Sequence, residues 1–160
     1  FVADSSPGLA NDMGFVPVDI HTLRAHADEQ IFVLGDAADL PTSKAGSVAH
    51  FATEMFVANF LAALSGTTLP NSFDGHANCF LETGRGQALL LDFNYETQPL
   101  PGLYPAPGVG PMTLLSASRA NHLGKLAFEQ IYWRMLLPGH RLPVPIAMSM
   151  AGKKTERARS

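Results

Sequence analysis

Apolar and polar residues follow one another along the 160-residue chain in blocks of changing period, and each change marks an element. Phe1-Val2-Ala3 reads as the end of a strand, and Pro7-Gly8 and Asn11-Asp12-Met13-Gly14 supply turn chemistry. Phe15-Val16-Pro17-Val18-Asp19 is predicted extended, with Pro17 confining it to a sheet edge or strand end because it donates no ladder hydrogen bond. In Gln30-Ile31-Phe32-Val33-Leu34-Gly35-Asp36, four consecutive apolar residues stop at Gly-Asp, the pattern of a buried parallel strand ended by a tight turn. The breaker-rich Leu40-Pro41-Thr42-Ser43-Lys44-Ala45-Gly46 is a loop. It delivers the chain to a helix predicted over 47–64, where Val48, Phe51, Met55, Ala58, Phe60 and Leu61 recur at helical spacing and Gly66 stops the element.

From residue 78 the period falls to two. A hairpin is predicted from Asn78–Thr83 and Gln87–Tyr95 around Gly84-Arg85-Gly86. Leu89, Leu91, Phe93 and Tyr95 would form its core face, and Ala88, Leu90, Asp92 and Asn94 a semi-polar one. Five prolines and three glycines over 99–111 argue against helix and ladder alike and predict an extended linker. A last helix is predicted over 113–137, with Ala120, Leu123, Ala127, Ile131 and Met135 on one stripe and Ser118, His122, Lys125 and Glu129 opposite. Such a stripe ordinarily packs on a core. The alternative draws on Tyr132, Trp133, Arg134, His140 and Arg141 around an apolar end, a mixture suited to a membrane interface. Residues 152–160 are polar and mostly basic, and are expected to fray. The fold class expected is α/β, turning to α+β in the C-terminal half, with domains at 1–70 and 71–160.

Composition narrows the functions. A hydrophobic content of 46% supports a sizeable core, while a charged fraction of 16% and a net charge of −3 exclude the broad cationic surface that nucleic acid would need. One cysteine, Cys79, allows no internal disulfide and fits a reducing, cytoplasmic compartment. No apolar run reaches about 18 uninterrupted residues, so membrane spanning is not expected, although membrane contact stays open. The histidines show no ligand spacing, so no metal site is expected, and G-x-G-x-x-G does not occur. Because the chain starts at Phe1, it is expected to be a piece of something longer.

The strand-to-loop step at Gly35-Asp36 has the most specific chemistry. A carboxylate at the C-terminal edge of a buried strand sits where α/β folds bind ligands, and it can accept hydrogen bonds from a polyol chain. A helix starting near Gly46-Ser47 would aim unpaired N–H groups and a positive dipole end at an electron-rich ring. Asp36 would equally serve as an ordinary turn or helix cap.

Gly14-Phe15-Val16-Pro17-Val18-Asp19, Thr22-Leu23-Arg24 and Ile31-Phe32-Val33-Leu34-Gly35-Asp36 together resemble the C-terminal region of the pyridine nucleotide-disulfide oxidoreductase superfamily. Asp39-Leu40-Pro41-Thr42-Ser43-Lys44-Ala45-Gly46, the strand around Cys79 and Leu91-Asp92-Phe93-Asn94-Tyr95 look more narrowly like sulfide:quinone oxidoreductase and its relatives, over most of the chain. The resemblance implies a two-dinucleotide-binding-domain fold. Residues 1–70 would end its second dinucleotide-binding domain and complete the FAD-binding domain, and 71–160 would form a hairpin and amphipathic-helix domain. It also implies that Gly35 and Asp36 meet the FAD ribityl chain and that Lys44, Gly46, Ser47, Val48 and His50 face the flavin, Lys44 or His50 hydrogen-bonding a flavin or quinone oxygen.

Cys79 is implied as the catalytic thiol that takes up sulfide sulfur. Phe80 stands where the family commonly has proline, and a partner cysteine would have to come from a missing N-terminal half, so a small buried apolar role for Cys79 remains the alternative. The implied partners are a quinone, a small sulfur donor, that missing half, a membrane surface and a second copy in a homo-oligomer. The implied location is cytoplasmic, peripheral on the inner membrane. The isolated chain is expected to be inactive. A type II NADH dehydrogenase-like enzyme, which would not need Cys79, and a non-catalytic dimerisation or membrane-docking module are the rival readings.

Overall fold

A computed structural model describes residues 6–70, 72–142 and 144–155; the expected strand at Phe1-Val2-Ala3 and the last five residues of the basic tail lie outside them. The architecture is mixed α/β. The chain divides into two compact units, Phe1–Ala77 with Asn94–Glu96 and Ile146–Met148, and Asn78–Phe93 with Thr97–Pro145 and Ser149–Ser160.

In the first unit the expected buried strand at residues 30–34 does not form. Phe32 makes only an isolated bridge to Arg24, and of Ile31 to Leu34 only Val33 is buried. The ladder comes after the Gly-Asp step: β1 (Val16–Pro17) pairs in parallel with β2 (Ala38–Asp39), with Gly35–Ala37 as a 3₁₀ turn before β2. A run of four apolar residues is too short to tell strand from irregular core segment by period alone, and here the segment inserts side chains without laddering. Pro17 does lie at the end of a two-residue strand. An unusual turn supports this layer. Asp19 Oδ1 accepts from the N–H of His21 and Thr22 and from the Thr22 hydroxyl, ahead of Leu23, which is fully buried at φ +64°.

Helix α1 (Gly46–Leu64) matches the predicted helix to within one residue. Val48, Phe51, Ala52, Met55 and Asn59 form its buried face. Its end closes as a Schellman motif: Gly66 takes φ +65°, its N–H bonds to Ala63 O, and Thr67 N–H bonds to Ala62 O. By length and composition α1 is long and apolar enough to cross a membrane, contrary to the expectation from the lack of an uninterrupted apolar run, because Glu54 breaks the run without making the helix polar. Asp74 ties distant segments to this unit, accepting from His76 N–H, from Asn94 Nδ2 and from Met148 N–H.

The second unit is built on a four-stranded sheet in the order β3 (Ala77–Gly84), β4 (Gln87–Phe93), β6 (Met112–Leu114), β5 (Gly102–Tyr104). The hairpin is as predicted, with a tighter turn. Arg85 (φ +54°) and Gly86 (φ +67°) are the two central residues, and positive φ at both is what a two-residue connection between right-twisted strands needs. The face assignment is reversed. Ala88, Leu90 and Asp92 are the buried positions of β4, while Leu89, Leu91 and Phe93 are only half-buried. Asp92 tolerates that place because Lys153 pairs with it and Asn78 Nδ2 donates to its other oxygen at 3.1 Å.

Residues 99–111 are not wholly a linker. Gly102–Tyr104 fit between Pro101 and Pro105, so their own N–H groups are available, and β5 pairs antiparallel with β6. The predicted start of the last helix moves from 113 to 119 because Met112–Leu114 form β6, in parallel with β4 through Leu90 and Leu114. Helix α2 (Arg119–Ile131) begins at Ser118, whose side chain accepts from Asn121 N–H, and runs into a π-helical turn at Tyr132–Leu136. The expected buried stripe does not hold. Among its residues Leu123 is 62% exposed, and the buried residue of α2 is Asn121. The tail is anchored at least to Lys154, whose N–H bonds to Pro101 O, while Gly152 O accepts from Leu103 N–H.

Candidate functional site

Gly35 and Asp36 occupy the 3₁₀ turn at the entry to β2, and that turn packs against α1. Gly35 takes φ +66°, a left-handed conformation that glycine adopts without Cβ strain, and a Cβ placed there would stand 3.7 Å from Ala49 Cβ. Asp36 is exposed. A carboxylate is thereby presented beside the first turns of a helix whose cap residue, Ala45, contributes no side-chain hydrogen bond to the leading N–H groups. Gly46 is exposed with open space where a Cβ would be, Ser47 is half-buried and Val48 is buried. Acceptor, positive helix end and open backbone suit a ligand that carries hydroxyls on one part and an electron-rich ring on another.

Lys44 and His50 are placed differently. Lys44 Nζ donates to Ala38 O at 2.5 Å and sits 4.3 Å over the Phe15 ring, so its ammonium ties the loop down to β2. His50 lies in the second turn of α1, with Nε2 3.1 Å from Glu54 Oε1 and both side chains about one-fifth exposed (22% and 20%). Glu54 is a neighbour whose i,i+4 spacing from His50 is visible in the sequence. His76 is buried: its ring stacks on Phe51 at 4.3 Å and Nδ1 lies 2.9 Å from Ile146 O.

Cys79 belongs to the other unit, half-buried on β3. In the same unit burial, and then the Asp92 charge, push the Tyr104 phenol up to about 12. Among the described residues no group of three or more His, Cys, Asp or Glu could hold a metal.

These features define a mixed α/β protein that presents a carboxylate-bearing turn beside an uncapped helix start. No family model matches the chain. Relatives among characterised proteins narrow the class. The chain is 34% identical over 99 residues, 62% of its length, to the mitochondrial sulfide:quinone oxidoreductase of Schizosaccharomyces pombe. It is 29% identical over 86% of its length to that of Dictyostelium discoideum, and 26% identical over 82% to that of Mus musculus. It covers only 21%, 29% and 28% of these proteins. A chain in the cryo-EM structure of the Tetrahymena thermophila mitochondrial ATP synthase F1Fo composite tetramer also matches, with TM-score 0.57 and 31% identity, over 82% of this chain and 28% of that one. Over most of its length, then, the chain is similar to sulfide:quinone oxidoreductases, of which it spans about a quarter.

Proposed function

We propose that the chain is the C-terminal portion of an FAD-dependent oxidoreductase that oxidises sulfide or a related sulfur compound and reduces a quinone. The observation that carries this reading is the exposed Asp36 on a turn packed against the start of α1, in a chain whose relatives carry that activity in their names. Asp36 accepts hydrogen bonds from the ribityl hydroxyls, and the N–H groups of Gly46, Ser47 and Val48 direct the positive end of α1 at the ring. Bound FAD supplies the two-electron acceptor between donor and quinone. Lys44 fixes the loop between the two, and His50 exchanges a proton. Cys79 would take up sulfide sulfur as a persulfide, and the two electrons released as that S–S bond forms would pass to bound FAD. The exposed Leu123, Leu126, Tyr132, Trp133 and Leu137 mix apolar bodies and polar tips in the way a membrane interface favours, which supports a peripheral place on the inner membrane and access to quinone.

In the complete protein, Asp36→Ala should lower retained flavin about tenfold or more, the cost of a lost charge-assisted hydrogen bond, read from visible absorbance per protein. Full retention refutes the ribityl role. Cys79→Ser should reduce sulfide-dependent quinone reduction to the blank; unchanged turnover with sulfide would refute the thiol role and assign Cys79 a packing one.

A second reading, a non-catalytic assembly module, has one observation in its favour, the likeness to a chain of the ATP synthase tetramer. Native mass measurement of the complete protein decides it: co-isolation in a large complex without flavin supports the module, and a flavin-loaded species of one or a few subunits rejects it.

A further inference from the structure

In the second unit α2 covers one face of the sheet, and the face turned away from α2 is apolar without being buried. Gly124 of α2 comes so close to the sheet that a Cβ on it would stand 3.0 Å from Met112 Sδ and 3.5 Å from Phe80 Cζ. Glu82 meets His122 and Lys125 of the same helix at 3.0 and 3.4 Å. Phe80, Glu82, Met112 and, by alternation, Leu114 therefore lie on the α2 side, and the buried Leu90 joins them because it is in register with Leu114. The same alternation turns Cys79 and Leu81 of β3, Leu89, Leu91 and Phe93 of β4 and Leu103 of β5 to the opposite face. None of these six is buried, Leu81 and Leu103 are 48% and 38% exposed, and none carries a charge. A sheet with one face in water ordinarily sets polar residues on that face. Apolar residues on both faces are the pattern of a sheet covered on both sides, and a contiguous apolar patch left open marks an interaction surface.

We propose that this face is a docking surface whose occupant is the remainder of the parent protein, the portion to which the flavin reading assigns the cofactor's phosphates. The chain spans only 21%, 29% and 28% of the sulfide:quinone oxidoreductases it is similar to, so most of the length of such proteins lies outside the matched portion. The sequence lacks a G-x-G-x-x-G turn, so dinucleotide phosphates need backbone groups from that remainder. Cys79 stands on the open face, and electrons leave its sulfur for a flavin only if the flavin comes up on the same side of the sheet. The lack of charge on the face suits a partner that buries it, because a charged side chain there would be stranded on docking. The identity of the occupant rests on the flavin reading; the open apolar face belongs to the chain itself.

Carbene footprinting, in which a photolysed diazirine labels accessible side chains and mass spectrometry locates the label, tests this by comparing the 160-residue chain with the complete protein. Leu81, Leu91 and Leu103 should take up label in the chain and lose most of it in the complete protein, while the turn at Arg85-Gly86 labels equally in both. Undiminished labelling overturns the proposal. So does protection that is already present in the 160-residue chain and grows with its concentration, because a second copy is then the occupant. Leu81→Lys combined with Leu103→Lys gives a second readout. Its unfolding midpoint should move by less than about 2 °C in the 160-residue chain, where both positions are open, and fall by about 5 °C or more in the complete protein, where the charges are buried. Equal shifts in the two would overturn the proposal and make the face part of the unit's own packing. Retention of flavin in Asp36→Ala would refute the ribityl role and leave the footprint unaffected.

Discussion

Asp92 and Lys153 carry opposite charges to a place where their side chains are 2% and 1% exposed. Their attraction there offsets a desolvation cost that neither could bear alone, and Asn78 and the Ser149 carbonyl satisfy further polar atoms on the pair. Lys153→Met should therefore destabilise the chain by about 3–5 kcal/mol, because it strands the Asp92 carboxylate. Lys153→Met with Asp92→Leu should recover much of that loss, and a double-mutant cycle by urea unfolding measures both. A loss in the double variant equal to the sum of the losses in Lys153→Met and Asp92→Leu alone would show the pair to be inert. Tyr104 is held neutral mainly by burial and then by Asp92. Its folded value, about 12, lies above the ordinary phenol value of about 10. The stability it contributes is fully present below about 10 and is lost as pH rises through about 12. Alkaline unfolding of Tyr104→Phe should accordingly be less steep across that window than that of the wild type. Asp19 behaves with the opposite sign. The backbone N–H and hydroxyl of Thr22 hold its carboxyl below the usual range, so its contribution is present above the ordinary carboxylate value and disappears as pH falls through the depressed one.

At the scale of elements, each boundary follows from a local group. Gly66 ends α1 in a left-handed conformation with nothing within 4 Å of a Cβ, so Gly66→Ala should cost only the conformational term, about 1 kcal/mol, by thermal unfolding. Gly75→Ala should cost more than Gly66→Ala, because its Cβ would enter the Tyr95 ring, whose hydroxyl donates to Ile20 O. Asn121 is a junction within the second unit. Its Nδ2 donates to the carbonyls of Ala88, Thr113 and Ser116, its Oδ1 accepts from Thr113 N–H, and it is fully buried. Asn121→Leu removes these bonds and should cost on the order of 3 kcal/mol, since buried partners are left unsatisfied. The start and end of α1 and both hairpin strands were legible because helical period, glycine and turn residues act over a few neighbours. The boundary at Ser118 was not, since the Met112–Leu114 pattern suits helix and strand equally and the pairing with Leu90 and Tyr104 chose strand. The 99–111 segment misled for a related reason: proline counts describe a segment, whereas a ladder needs only that its own three N–H groups be free.

At the scale of the molecule, each unit buries polar residues among apolar ones, Asn59 and His76 in the first and Asp92 and Asn121 in the second. The first has an apolar core drawn from Val16 to Ala77, including Leu23, Phe51, Met55 and Phe73. In the second, the buried apolar residues Ala88, Leu90 and Leu114 are joined by Asp92 and Asn121, while α2 and the π-turn expose Leu123, Leu126, Trp133 and Leu137. If those exposed residues meet a membrane in the complete protein, replacing Leu126, Trp133 and Leu137 with serine should abolish flotation with anionic liposomes while leaving flavin content unchanged. Undiminished flotation assigns the contact elsewhere.

The sequence by itself determined the elements whose signals are local: α1 with its glycine stop, the hairpin about Arg85-Gly86 and the turn at Gly35-Asp36. Only the tertiary structure decided which face of β4 is buried, that Ile31–Leu34 stays out of the ladder, that Lys153 in a basic tail is a core residue, and that His50 faces Glu54. Each of these depends on a partner far along the chain, on a competing strand, or on the direction of a side chain. Period and composition carry none of that information, because alternation specifies two faces without saying which one another segment will cover.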